Sequence, residues 1–349
     1  MYLFYTFKVY SKWQLMLSNF QQMLSKQFST LNGSLPFHSN PYKLNPWFVT
    51  GFIDAEGSFT VLVVKDSKRK LGWRIECKFQ LGLHNFDIPL LLQIRDFFGG
   101  IGNLYESPQK INYIISSNKD LLILINHLEN YPLLTQKGGD FLLFKKVVEL
   151  LDNKAHLSTE GLLQVVNIKA SINLGLSEQL KSEFKNFSPV ERPIIVTKNI
   201  PEPNWISGFT SGKGNFHIKI AKSSTKTGYR VQLKFRLVQH SRDKLLMQVI
   251  NKYLNTGNIY NYSEKSAVVL EIVKFSDISD IIIPFFEEYP IIGIKQLDYL
   301  DWSMVAQIMS EGHHLTGEGL TLIRYIKEKW AERDLLRKNI INCMIRIEF

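Results

Sequence analysis

At 349 residues, with 45% hydrophobic side chains, the chain is long enough for two domains with sizeable cores. Cys77 and Cys343 are too few and too far apart for a disulfide framework or a cysteine zinc site, and no uncharged apolar run reaches the roughly 18 residues of a membrane span. The formal net charge of +10 points to a polyanionic partner, although a basic surface also serves solubility alone.

Residues 1–44 stand apart from the rest. No Asp or Glu occurs before residue 47, whereas Lys8, Lys12, Lys26 and Lys43 do, among aromatic, Ser, Gln and Asn residues. An acid-poor stretch suits a mitochondrial targeting segment, which would usually also be rich in Arg; this one has none. We expect weak order here, and a first module over 45–185.

Trp47 to Thr60 (WFVTGFIDAEGSFT) reads as a short apolar helix that ends on a carboxylate and runs into a strand. Gly51 and Ala55 are four apart and share a helical face. Small residues at that spacing let a second helix approach backbone to backbone. Glu56 falls in the last turn, with Gly57 placed as the residue that closes the helix in a left-handed conformation. A carboxylate there opposes the helix dipole by about 0.3–1 kcal/mol unless a cation offsets it, and a hard divalent cation takes oxygen ligands. The plainer reading is a buried helix with a solvated Glu near its end.

Ser58, Thr60, Leu62 and Val64 alternate with Phe59, Val61 and Val63, a period of two that predicts a strand. A charged loop carrying Lys68, Arg69 and Lys70 turns the chain. The return strand sets Arg74, Glu76, Lys78 and Gln80 against Ile75, Cys77, Phe79 and Leu81. Helices are predicted over Pro89–Phe98, Asp120–Leu128 and Asp140–Leu151, with a hairpin between the first two. Pro189, Pro193, Pro201 and Pro203 mark 186–203 as a linker. A second module over 204–349 repeats the plan. Asn215, His217 and Lys219 alternate with Phe216, Ile218 and Ile220, and Arg230, Gln232, Lys234 and Arg236 with Val231, Leu233, Phe235 and Leu237.

The halves match in order at a period of roughly 157 residues, which signals domain duplication. His84 matches His240, Gly102-Asn103 matches Gly257-Asn258, Tyr131-Pro132 with Lys137 matches Tyr289-Pro290 with Lys295, and His156-Leu157 matches His314-Leu315. Asp54 lies on a different helix face from Glu56 and is replaced by Ser211, which suits a role in the interface. His313 and His314 lack a Cys or an acid pair at ligand spacing, which speaks against a metal site.

The two motifs are VTGFIDAEG (Val49–Gly57) and ISGFTSGKG (Ile206–Gly214). They resemble those of the LAGLIDADG homing endonucleases of the single-chain, intron-encoded type. The resemblance implies an α+β fold of two pseudo-symmetric modules, each αββαββα, whose antiparallel sheets form a DNA-binding saddle. It implies a monomer that cleaves double-stranded DNA with Mg2+ or another divalent cation. The metal would sit on Glu56 and on the backbone carbonyls of Ala55 and Gly212, with Gln80 and Lys274 poising water and transition state; Ser117 would be the counterpart of Lys274. Base contacts carry over to Ser58, Thr60, Leu62, Val64, Arg74, Glu76, Lys78, Gln80, Asn215, His217, Lys219, Arg230, Gln232, Lys234 and Arg236. In this light residues 1–44 read better as translated upstream sequence from a frame fused to an exon, which keeps a mitochondrial origin.

The second motif departs from the family where the second acid should stand, for Lys213 takes that place. A protonated ammonium suits a helix C-terminus and cannot ligate a metal. Double-strand cleavage is therefore expected to be reduced to nicking or lost. The rival expectation, of another class, is an RNA maturase that binds a group I intron to assist its splicing.

Overall fold

The computed structural model describes residues 43–330. The expectation of weak order near the N-terminus falls on residues outside that range, except that Leu44 is buried in the first core. Helix α1 (Pro46–Glu56) starts with proline at its first position. Asn45 accepts a hydrogen bond from Trp47 N at 2.8 Å and caps an otherwise unpaired amide. It passes without a loop into β1 (Gly57–Lys65). Gly57 donates its N–H to Ile53 O, but its φ of −68° and ψ of 149° are extended, not left-handed as expected. Glycine is required there by space: a Cβ would lie 2.7 Å from Ile53 O and 2.8 Å from its Cγ2.

The first module continues with β2 (Trp73–His84), α2 (Ile88–Phe97), β3 (Asn103–Glu106), β4 (Lys110–Ile115), α3 (Asn118–Asn130), α4 (Lys137–Asp152), α5 (Thr159–Lys169) and α6 (Glu178–Glu183). The second has α7 (Pro203–Lys213), β5 (Gly214–Lys222), β6 (Tyr229–His240), α8 (Lys244–Leu254), β7 (Asn258–Tyr262) and β8 (Ala267–Ile272). A helical stretch with π geometry at Ile278–Ile282 follows, then α9 (Lys295–Ser310) and a last helix, α10, at 317–330. Each half thus shows the expected order, with further helices after it.

The two sheets are antiparallel and identically ordered, β1-β2-β4-β3 and β5-β6-β8-β7. Each lays its apolar face on its own helices. Phe59 meets Phe79, Phe141 and Phe144, each at 5.4 Å between ring centres, and Phe216 meets Phe235, Tyr299 and Trp302 in the second core. Residues 184–202 contain no helix or strand, yet the segment is strapped down. Arg192 is bonded to the buried Asp140 carboxylate at 2.9 and 3.1 Å, and Gln136 exchanges hydrogen bonds with the backbone of Ile195.

Candidate nucleic-acid interface and helix-end site

Helices α1 and α7 cross with almost no side chain between them. A Cβ on Gly51 would lie 2.1 Å from Trp205 O, one on Gly208 2.0 Å from Phe48 O, and one on Gly212 2.4 Å from the Ala55 Cβ. The small residues read from the sequence are thus the ones at the crossing. Phe48, Val49, Phe52, Ile53, Trp205, Ile206 and Phe209 are buried around it. Asp54 is also buried and locks the crossing, accepting from Leu134 N, Thr135 N, Thr135 Oγ1 and, across the midline, Trp205 Nε1 at 2.9 Å. Burial pushes its pKa up, opposed by those donors and by Lys137.

The C-terminal ends of both helices meet. There the Lys213 Nζ stands 3.0 Å from Glu56 Oε1. Two half-buried lysines donate to backbone carbonyls at these ends, and Ile53 O also accepts from Gly57 N. Lys137 donates to Ile53 O at 3.0 Å, while Lys295 donates to Gly212 O and Gly214 O, both at 2.7 Å. Burial drives the Lys137 pKa down to about 8, against Asp54 and Glu56, with Lys213 and Arg242 adding to the fall. Burial also lowers Lys295, opposed by Glu56, Asp298 and Asp87.

The polar faces of both sheets point away from the cores, side by side with these helix ends. Cross-strand pairs on that face are Ser58 with Gln80, Thr60 with Lys78, Leu62 with Glu76 and Val64 with Arg74; in the second sheet they are Asn215 with Arg236, His217 with Lys234 and Lys219 with Gln232. Arg230 is exposed opposite Ala221, and Lys68, Arg69 and Lys70 are exposed at the β1–β2 turn. One acid in each face bridges two cations. Glu76 pairs with Arg74 at 2.8 Å and Lys78 at 2.7 Å, and the Lys78 hydrogen bond chiefly lowers its pKa. Glu271 pairs with Arg236 at 2.6 Å and Lys234 at 3.3 Å; burial works against its charge, yet those two donors hold its pKa down. The outer strands add residues that the sequence reading missed: exposed Asn103, Tyr105, Asn258, Tyr260 and Tyr262.

The model of the LAGLIDADG endonuclease family matches residues 49–148 and again 206–306. The chain belongs to that family. It is 52% identical over 301 residues to probable intron-encoded endonuclease 3 of Neurospora crassa, covering 85% of this chain and 55% of that protein. It is 36% identical over 314 residues to probable intron-encoded endonuclease 2 of the same fungus, covering 86% and 68%. Among solved structures it resembles I-SmaMI bound to an uncleaved DNA target in the presence of calcium ions, with a TM-score of 0.80 and 46% identity over 82% of this chain and 98% of that one. The chain therefore spans about half the length of the first of these relatives and nearly all of the solved endonuclease.

Against a two-motif LAGLIDADG centre, the residues here do not fit a shared pair of cations. Among the described residues Glu56 is the one motif-helix acid not buried in the crossing, and Lys213 already pairs with it. The Gly212 carbonyl, expected as a metal ligand, accepts a hydrogen bond from Lys295 instead. No group of three or more His, Cys, Asp or Glu able to hold a metal occurs among the described residues.

Of the other site residues, Gln80 lies beside Ser58, two residues past Glu56, and donates to Asn112 Oδ1 at 2.8 Å. Lys274 is not at the centre. Leu270 shares a row with Leu237 and Gly214, and Lys274 lies four residues farther out, roughly 13 Å at strand spacing. It is 75% exposed and pairs with Asp277 at 3.0 Å, the ordinary role of a surface lysine. Its counterpart Ser117 caps α3. The basic groups at the centre are Lys137 and Lys295, and the sequence signal for them was their exact match across the repeat.

Proposed function

We propose that this chain is a single-chain, site-specific binder of double-stranded DNA of the homing endonuclease type, in which cleavage is reduced to nicking or lost. The observation that carries this reading is the Glu56–Lys213 ion pair at 3.0 Å, which puts an ammonium where a two-acid centre would hold a cation. Phosphodiester hydrolysis by metals needs charge stabilisation at both the attacking and leaving oxygens. The Mg2+ expected from the family would meet one carboxylate, already paired. What remains is binding. Arg74, Lys78, Lys219, Arg230, Lys234, Arg236 and the Lys68–Lys70 turn supply phosphate contacts, and Ser58, Thr60, Gln80, Asn215, His217 and Gln232 supply donors and acceptors for base edges. Leu62, Val64 and Glu76 complete the face, the first two suited to thymine methyl groups. A monomer suffices, since one chain supplies both sheets. The relatives' names support an intron origin, and we place the product in the mitochondrion on that ground.

The test starts with selection of bound sites from a random duplex pool. The recovered site is then placed in a supercoiled plasmid with Mg2+. Native protein is expected to give nicked circles or no product, and Lys213→Glu to give more cleavage. Linear product from the native protein overturns the reading. Tighter filter binding to the host group I intron RNA than to the selected duplex would replace it with the maturase function.

A further inference from the structure

The two half-buried lysines each open a helix, Lys137 in α4 and Lys295 in α9, and neither helix is capped by a side chain of the residue before it. The acid that faces each helix start comes from the other module. Asp87, just before α2, accepts a hydrogen bond from Ile294 N at 2.8 Å. Asp243, at the matching place before α8, accepts one from Gln136 N at 2.6 Å. On the Asp87 side the close approach is built into the backbone. Gly293 has φ of +89°, and a Cβ there would lie 2.7 Å from Asp87 Oδ1. The turns that aim the acids are set by the repeat-matched histidines, whose Nδ1 atoms accept from Phe86 N at 3.3 Å and Arg242 N at 3.1 Å.

We infer that Asp87 and Asp243 are reciprocal positioning residues, each reaching across the midline to fix the helix start from which the other module's lysine reaches the motif-helix carbonyls. An anion at a helix N-terminus is favoured by the dipole, and here it also orders the first residue, whose ammonium is aimed at Ile53 O or at Gly212 O and Gly214 O. Neither half can then set its own lysine without the other. Around Lys295 the charged groups are Glu56, Asp298, Asp87 and Lys213; around Lys137 they are Asp54, Glu56, Lys213 and Arg242, with Asp243 coupled to Lys137 in turn.

This role rests on the helix-end site being the functional centre, but its test needs no DNA. Lysine side chains of the full chain, labelled at Cε, are followed by NMR relaxation at one pH. Asp87→Asn keeps the acceptor oxygen and removes the charge. It is expected to make the Lys295 side chain more mobile and leave Lys137 as in the native chain, with the unfolding temperature near native. Asp243→Asn is expected to do the reverse. A change confined to the lysine of the mutated module, equal changes of both, or no change of either overturns the assignment. The Asp87→Asn arm decides alone should Asp243→Asn not fold. Loss of duplex binding by the native protein would sink the proposed function and leave this result standing.

Discussion

Replacing Gly208 by alanine places a methyl carbon 2.0 Å from Phe48 O, 2.8 Å from Phe48 C and 3.0 Å from Phe48 Cα. All three are backbone atoms of α1, so no side-chain rotation relieves the clash. Carbon–oxygen contact needs about 3.2 Å or more, so the helices must separate by roughly 1 Å, and the packing of the fully buried Phe48, Val49, Trp205 and Phe209 loosens with them. Overpacking of this kind costs about 1–3 kcal/mol, occasionally more. Alanine returns at most about 1 kcal/mol of helix propensity, and separation also stretches the Asp54–Trp205 bond. A net loss of about 2–4 kcal/mol follows, or a fall in Tm of roughly 3–6 °C for a chain of this size. Circular dichroism during thermal unfolding reads it. Gly317→Ala is the control, since nothing lies within 4 Å of its Cβ position, and it should stay within about 0.5 kcal/mol of native. Equal stability of Gly208→Ala and the native chain would refute the backbone-to-backbone crossing.

Asp54→Ala strips acceptors from Leu134 N, Thr135 N and the Trp205 indole; it should cost at least about 3 kcal/mol in urea unfolding. His127 is buried and its pKa is pushed down to about 4 from 6.5. The folded state then binds fewer protons than the unfolded one between those values, so stability falls as pH drops from about 6.5 to 4, by up to about 1.4 kcal/mol per pH unit. His127→Gln should lose that slope relative to native in pH-resolved unfolding. On the selected duplex, Lys234→Ala and Arg236→Ala should each lower the slope of log K against log salt by about 1. Lys274→Ala, far out and exposed, should leave it unchanged.

Two patterns of the sequence survive into the structure for a physical reason. Alternation with period two decides which face of a strand is buried, so Phe59, Val61 and Val63 go in and Ser58, Thr60 and Val64 go out. Glycines four apart decide where helices can touch. The duplicated order made both readings firmer, because each half restates the other. Long-range placement was less accessible. Lys137 and Lys295 reach the helix ends from helix starts 84 and 83 residues along the chain from Ile53 and Gly212, and no local pattern distinguishes them from surface lysines. The short outer strands β3 and β7 carry too few residues to show a period, which hid Tyr105, Tyr260 and Tyr262. Lys274 was misplaced because the direction of β8 relative to the midline is a matter of pairing, and its antiparallel register with β6 carries its end outward.

At the helix ends the halves differ in Glu56 against Lys213, and the energetics argue that this exchange favours folding over chemistry. A carboxylate at 213 would stand at a helix C-terminus beside Glu56, two like charges against two negative dipole ends. The ammonium reverses both signs, worth about 0.3–1 kcal/mol from the dipole and a similar amount from a pair that is 34% and 22% exposed. Lys213→Glu should therefore be less stable than native by about 1 kcal/mol or more without divalent cations. Adding Mg2+ should then raise its Tm, because a cation bound only by the folded state stabilises by mass action. The native Tm should not respond. The comparison separates a centre closed by its own ammonium from one that still admits a cation: an equal Mg2+-dependent rise in both proteins would show that Lys213 leaves the pocket open.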